Sequence, residues 1–199
     1  MPIVVVGNGE SRQALDLHSI SQRHTIVGCN ALHRDLVVPH LVCCDQRMVD
    51  EALASQNNQN TIIYTRPEWA KFYSKYVRQV PSLPYTGTLR QDQLWHWGSG
   101  PLALLVACGL ESETIYLVGF DLQGNDNKLN NVYKDSKNYL KSTATAVDPI
   151  YWIYQIAKIF TLYPSKLFVV LNNKEWSAPK SWSQKNVVFK NICDSEVDI

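Results

Sequence analysis

Residues 3–11 read Ile3-Val4-Val5-Val6-Gly7-Asn8-Gly9-Glu10-Ser11, and the fold turns on them. Four branched apolar residues in succession, with no polar alternation, are expected of a strand covered on both faces. The run stops at a glycine turn and passes into a helical pattern over Arg12–Leu17. A buried strand feeding a helix through a tight turn opens a βα unit, and the chain repeats the move. Further strands are predicted at Thr25–Cys29, Leu41–Cys44, Thr61–Tyr64, Thr114–Val118 and Leu167–Leu171, and helices at Arg47–Ser55, Pro67–Tyr76, Pro101–Gly109 and Pro149–Tyr163. Pro67, Pro101 and Pro149 each mark a first helical position, where a missing N–H is no loss, and Asp148 is a suitable N-cap. The expected fold class is α/β: a single Rossmann-like domain, with a mostly parallel sheet and helices on both faces.

Two stretches interrupt the alternation. Residues 80–98 carry Pro, Gly and a Trp-His-Trp triplet, and residues 123–146 are polar and rich in Asn, Lys and Tyr. Connections of this length in a compact domain tend to be lids or binding loops. Residues 1–172 are expected to form a nucleotide-binding domain that includes both loops, with 173–199 as a C-terminal tail. The 186–192 run in that tail reads as a strand closing a sheet edge, or as part of a contact arm. Trp176 and Trp182, large aromatics in a polar stretch, mark the tail as a candidate surface for homo-oligomer or assembly contacts.

The 199 residues carry 19 Lys and Arg against 18 Asp and Glu, a net charge of +1. Such a balance supplies no long-range field toward phosphate backbones or anionic lipid, so no nucleic-acid partner is expected. No apolar run approaches the ~18–20 residues of a membrane span, and the N-terminus enters a strand directly; the expected location is cytoplasmic. Cysteines 29, 43, 44, 108 and 193 are odd in number and show neither C-x-x-C nor Cys/His metal spacing. They read as reduced, mostly buried thiols, and no metal is expected.

The chemistry concentrates at strand ends. Gly7 and Gly9 allow a backbone to approach a ligand, and the helix that follows offers N–H groups to anionic oxygen. The dinucleotide fingerprint is incomplete, because position 12 is Arg, and a turn that binds nothing remains the alternative. The amide of Asn8 both donates and accepts. Asn30, after Gly28-Cys29, and Asp45, after Cys43-Cys44, fall on the carboxyl-end rim where open α/β sheets hold ligands. Asp45 suits a hydroxyl or a divalent cation, and either residue could instead cap a helix. Gly98-Ser99-Gly100-Pro101 opens an apolar helix and makes a second anion-friendly N-terminus. Asp121 ends the strand that follows, and Tyr133 and Lys134 in the next loop are placed to close over a phosphate.

In order, Gly7-Asn8-Gly9-Glu10-Ser11, Cys29-Asn30, Ser99-Gly100 and Ile115-Tyr116-Leu117-Val118-Gly119-Phe120-Asp121-Leu122 resemble the motifs of bacterial sialyltransferases of glycosyltransferase family 42. Pterin pyrophosphokinase-like proteins of the DUF115 group carry similar blocks. The resemblance spans residues 3–45 and 98–135. It implies a sheet that binds a nucleotide-activated sugar of the CMP-sialic acid type and transfers it, with inversion, to a glycan acceptor hydroxyl, with no cofactor required. By position it implies that Asn8 and Gly9, in the turn begun by Gly7, contact the cytidine nucleotide. Asn30 would meet the donor, Ser99 and Gly100 the cytidine or phosphate side, and Tyr133 the leaving phosphate.

The family's general-base histidine stands just before the helix that begins here near Asp148. This chain reads Ser142-Thr143-Ala144-Thr145-Ala146-Val147 there, and no histidine follows His96. A positioned base contributes typically 10²–10⁴-fold in rate. His96, where the family carries an arginine, and Asp121 are the candidate replacements; between Trp95 and Trp97, His96 also reads as a stacked structural residue. Two other functions stay open. One is a Mg-dependent pyrophosphokinase-like transferase of the DUF115 type, with Asp45 and Asp121 holding Mg²⁺ on a triphosphate. The other is a non-catalytic descendant that keeps the fold for binding or assembly.

Overall fold

Eight strands form one sheet: β1 (Ile3–Val6), β2 (Thr25–Cys29), β3 (His40–Val42), β4 (Ile62–Thr65), β5 (Arg78–Gln79), β6 (Thr114–Val118), β7 (Leu167–Asn172) and β8 (Val187–Asn191). The structure, a computed structural model, describes residues 1–55, 60–194 and 199. The strand order is β5-β4-β3-β2-β1-β6-β7-β8, and every pairing among these strands is parallel. The chain winds outward from β1 to β5, then returns to the centre and adds β6 on the other flank of β1. That reversal is the switch point at which connections diverge and leave a crevice at the carboxyl ends.

Helices α1 (Leu17–Arg23), α2 (Gln46–Ala54), α3 (Pro67–Phe72), α4 (Ser99–Cys108) and α5 (Ile150–Leu162) complete the layers. On one face, Val5, Leu117 and Val170 pack with α4, α5 and Trp182; on the other, Val4, Val6 and Leu171 share a cluster with Met48 and Val49 of α2. Cover on both sides is the reason β1 carries no polar residue. α4 is apolar around its circumference, and all its residues but Gly100 are buried.

Several boundaries differ from expectation. The helix predicted at Arg12–Leu17 is a 3-10 turn over Glu10–Ala14, followed by α1 from Leu17. Asp16 resets the start, because its carboxylate accepts the N–H groups of His18 and Ser19. Pro101 is the third residue of α4 rather than the first, a position where no intrahelical donor is lost either. Pro149 is the N-cap of α5, and Asp148 reaches past it to accept the N–H of Ile150. The helix predicted to run to Tyr76 closes at Phe72, since the chain must turn to enter β5.

The tail beyond residue 172 lays β8 against β7, and residues 195–198 lie outside the described ones. Trp182 is fully buried, donates its indole N–H to the Ile153 carbonyl at 3.0 Å and meets the Phe160 ring edge-on at 5.5 Å. Trp176 donates to the Asp121 carbonyl at 2.8 Å. Trp182 is therefore a core residue, and Trp176 is half-buried against the same cluster. Among the described residues, no helix is long and apolar enough to cross a membrane.

Candidate functional site

The crevice at the switch point is a pocket of about 340 Å³, large enough for a small organic ligand. Its floor comes from Gly7–Gly9 after β1, Asn30 after β2, Asp45 and Arg47 after β3, the start of α4, and Gly119–Gly124 after β6. The 123–146 loop supplies a roof through Leu129–Asn131 and Asn138–Leu140. The fold thus gathers Gly7, Asn8, Gly9, Asn30, Asp45, Ser99, Gly100 and Asp121 around one space. It leaves His96 and Tyr133 outside the lining.

The first glycine turn is consumed by the protein itself. Gly7 N–H bonds the Val118 carbonyl at 2.8 Å, and Gly9 N–H bonds that of Gly119 at 2.9 Å. A Cβ on Gly7 would stand 2.4 Å from the Gly119 oxygen, and Gly119 itself takes φ +70°. A Cβ on Gly9 would fall within 2.6 Å of the whole Asp121 carboxylate. The expected anion site at the following turn is closed as well. Glu10 N–H donates to Asn130 Oδ1 at 2.8 Å, and Ser11 N–H to Asp121 Oδ2 at 3.0 Å. Asp121 also accepts from Ser11 Oγ and, at 3.4 Å, from Asn172 Nδ2. Its carboxylate braces the segments that follow β1, β6 and β7 against one another.

The second glycine turn stays open. Ser99 and Gly100 open α4 with N–H groups that have no intrahelical partner, and both line the pocket. The Ser99 hydroxyl is a tie: it donates to Asn30 Oδ1 at 2.7 Å and accepts the Cys44 N–H at 3.1 Å. Asn30 sits at φ +48°, a conformation asparagine tolerates, and its Nδ2 makes no hydrogen bond to the described residues. Asn8 donates from Nδ2 to the Tyr139 hydroxyl at 3.1 Å, while its Oδ1 is buried without a hydrogen-bond partner among the described residues. Asp45 occupies the N-cap position of α2 but makes no capping bond through its side chain, so its carboxylate remains available. Arg47 is the one cation among the described lining residues.

Residues the sequence did not single out, together with Tyr133, hold the roof. Arg12 is buried; it reaches the Gly7 carbonyl at 3.1 Å, Asp35 at 2.7 Å and the Tyr133 hydroxyl at 2.7 Å. Tyr133 in turn donates to Asp35 at 2.6 Å. Arg12 stacks 5.0 Å from the Tyr133 ring, and Arg34 lies 5.5 and 5.6 Å from the rings of Tyr133 and Tyr139. Arg34 also grips Glu51 through two bonds of 2.6 and 2.8 Å and holds Ser136 Oγ at 2.8 Å. In this ladder Tyr139, not Tyr133, reaches the pocket. Burial raises the pKa of both phenols, which keeps them protonated donors. Lys134 pairs with Glu10 and is not a free phosphate ligand.

The ladder has a pH signature. Arg34, supported by Asn138, holds the Glu51 carboxyl below its ordinary 4.5. The folded carboxyl ionises more readily than the unfolded one, so this contribution is complete above pH 4.5 and is lost as pH falls through the lower folded value. Glu51→Gln is expected to melt below wild type at about pH 6, with the gap narrowing progressively as pH falls below 4.5. A gap independent of pH would contradict the assignment.

His96 stands apart. Its Nε2 accepts Arg90 Nε–H at 3.1 Å, and its ring lies 5.9 Å from Trp95 and 6.1 Å from Tyr151. The residue is stacked outside the pocket lining. No cluster of three or more His, Cys, Asp or Glu suited to a metal ion occurs among the described residues. Both Asp121 oxygens are engaged within the protein, and Asp45 has no side-chain capping bond. Burial pushes the Cys29 and Cys44 thiols up to about 12, so neither is a nucleophile at neutral pH.

No protein-family model matches the chain, and no curated protein matches its sequence. Among solved structures it is similar to the sialyltransferase CST-II in complex with trisaccharide acceptor and CMP, with a TM-score of 0.50 and 12% identity over 85% of this chain and 80% of that one. A point variant of the alpha-2,3/8-sialyltransferase CstII is similar at a TM-score of 0.49 and 12% identity, over 85% of this chain and 81% of that one. The CST-II likeness establishes a shared fold, an α/β architecture built on one parallel sheet.

Proposed function

We propose that the pocket binds a nucleotide-activated acidic sugar of the CMP-sialic acid type, and that the protein is a sialyltransferase-like glycosyltransferase acting on a glycan hydroxyl. The observation that carries this reading is the contrast between the two glycine turns. The first is filled by the chain's own oxygens; the second leaves α4's N-terminus open beside Asn30 and Asn8. Its N–H groups and helix dipole suit a phosphate, and Arg47 supplies the complementary charge. The two asparagine amides suit nucleoside hydroxyls and base edges. The neutral phenol of Tyr139 donates toward a leaving phosphate, so charge stabilisation requires no metal. Asp45 replaces His96 and Asp121 as the base, because its carboxylate is the one in the lining without a structural task. The fold shared with CST-II, solved with CMP and a trisaccharide acceptor, supports the same reading.

Thermal-shift titration tests it. Metal-free CMP is expected to stabilise the protein, by about 2.7 kcal/mol at a hundred times its Kd. Asp45→Asn is expected to lower transfer about a hundredfold while leaving CMP affinity within about twofold. Silence toward CMP and its sugars would sink the proposal, and a response confined to Mg-ATP or Mg-GTP would replace it with the pyrophosphokinase-like alternative.

A further inference from the structure

The edge of the sheet at β5 carries a surface that shares no residue with the pocket. α3 and the turn after it direct Tyr73 and Val77 against the core, while Phe72 and Tyr76 point outward, 70% and 63% exposed. Lys71, Lys75 and Arg78 are interleaved with these rings and exposed too, and the Lys75 ammonium lies 5.6 Å from the Tyr76 ring. The carboxylates nearest in this region are already engaged. Glu68 pairs with Arg66, and Asp50 accepts the Tyr73 hydroxyl. Beside the rings, residues 74–78, Thr61 and the first two residues of β4 line an open groove. The patch therefore sets two aromatic rings among three cations with no free counter-charge on their own segment.

Leaving two neighbouring aromatic side chains in water is unfavourable, and exposed apolar clusters of this kind mark contact surfaces. Interleaved cations choose among contacts: a lipid headgroup layer accepts amphipathic rings at the level of the glycerol backbone and supplies anions to lysine and arginine. We propose that this face docks on an anionic membrane surface, with Phe72 and Tyr76 entering the headgroup region and Lys71, Lys75 and Arg78 facing lipid phosphates and carboxylates. The chain's net charge of +1 adds no attraction at a distance. The cations act only within about a Debye length, roughly 10 Å at 0.1 M salt, so docking is peripheral, reversible and salt-sensitive.

Co-sedimentation of the full chain with vesicles tests the proposal. Vesicles of phosphatidylcholine containing about one-third phosphatidylserine are expected to bind at least about tenfold more protein than phosphatidylcholine alone at about 0.1 M salt, and to lose that advantage at about 0.5 M. Each cation near a charged surface contributes about fivefold, so Lys71→Glu with Lys75→Glu is expected to reduce partitioning at least about thirtyfold. Phe72→Ser with Tyr76→Ser is expected to reduce it about tenfold. Lys71→Arg with Lys75→Arg keeps binding, and every variant keeps the wild-type melting temperature, since the substituted side chains are exposed. Equal binding to both vesicle types, no binding to either, or full binding by the charge-reversed variant would overturn it.

Discussion

Gly7→Ala is expected to cost about 3–5 kcal/mol, and the melting temperature to fall by roughly 10 °C. The added methyl would stand 2.4 Å from the Gly119 carbonyl oxygen and 3.1 Å from its carbon. Both atoms are backbone, so no side-chain rotation relieves the overlap. Separating the two segments would break Gly7 N–H to Val118 and Gly9 N–H to Gly119, and would displace the carbonyl that Arg12 holds. Gly100→Ala is the control. Its methyl meets only the edge of the Phe120 ring, at 3.2 Å, and alanine is the better helix former, so the expected change is under about 1 kcal/mol. Chemical denaturation of both variants measures the difference. A Gly7→Ala protein within about 1 kcal/mol of wild type would show that the seam between β1 and β6 is looser than described.

Trp182→Ala carries a loss of similar size, about 3–5 kcal/mol. The indole is wholly buried against Phe160 and Trp176 and gives its N–H to α5. Removing it opens a cavity beneath α5, on the side of the sheet where α4 presents the open turn. The same variant decides the status of the tail. An independent arm would lose a tryptophan with the transition moved by less than about 1 kcal/mol, whereas a wall of the core would fail with the core. Near-ultraviolet circular dichroism alongside the melt reports whether the remaining tryptophans keep their packing.

The long strands were legible because their burial writes itself into composition. Ile3–Val6 and Leu167–Leu171 contain almost nothing polar, and parallel strands with two covered faces have no other option. β5 was not legible, since Arg78 and Gln79 are exposed polar residues that pair only because β4 offers an edge. The floor of the pocket could be read, as strand ends on one rim converge by topology alone. The roof could not. Which tyrosine of the 123–146 loop enters the pocket depends on left-handed turns at Asp126, Asn127, Asp135 and Asn138, which follow from tertiary contacts rather than local pattern. Arg12 shows the limit from the other side: it reads as the residue that spoils a glycine fingerprint, and it is the strut that holds Gly7, Asp35 and Tyr133. Spacing located Asp121 correctly but not its direction, because a carboxylate at a strand end serves neighbours or ligand equally well until its partners are known.

Every neighbouring pair in the sheet joins strands that are consecutive in the chain, except β1 and β6. Two ladders, β1 to β5 and β6 to β8, can each zip locally, but joining them brings together groups 110 residues apart, such as Ser11 and Asp121. That closure carries the largest entropy cost in the topology and belongs late in folding. The pocket lies across this joint. A ligand bound there holds contacts absent from the folding barrier, so its effect falls on the unfolding rate: occupancy works as a clasp on the two halves of the sheet, lengthening the life of the folded protein without hastening its birth.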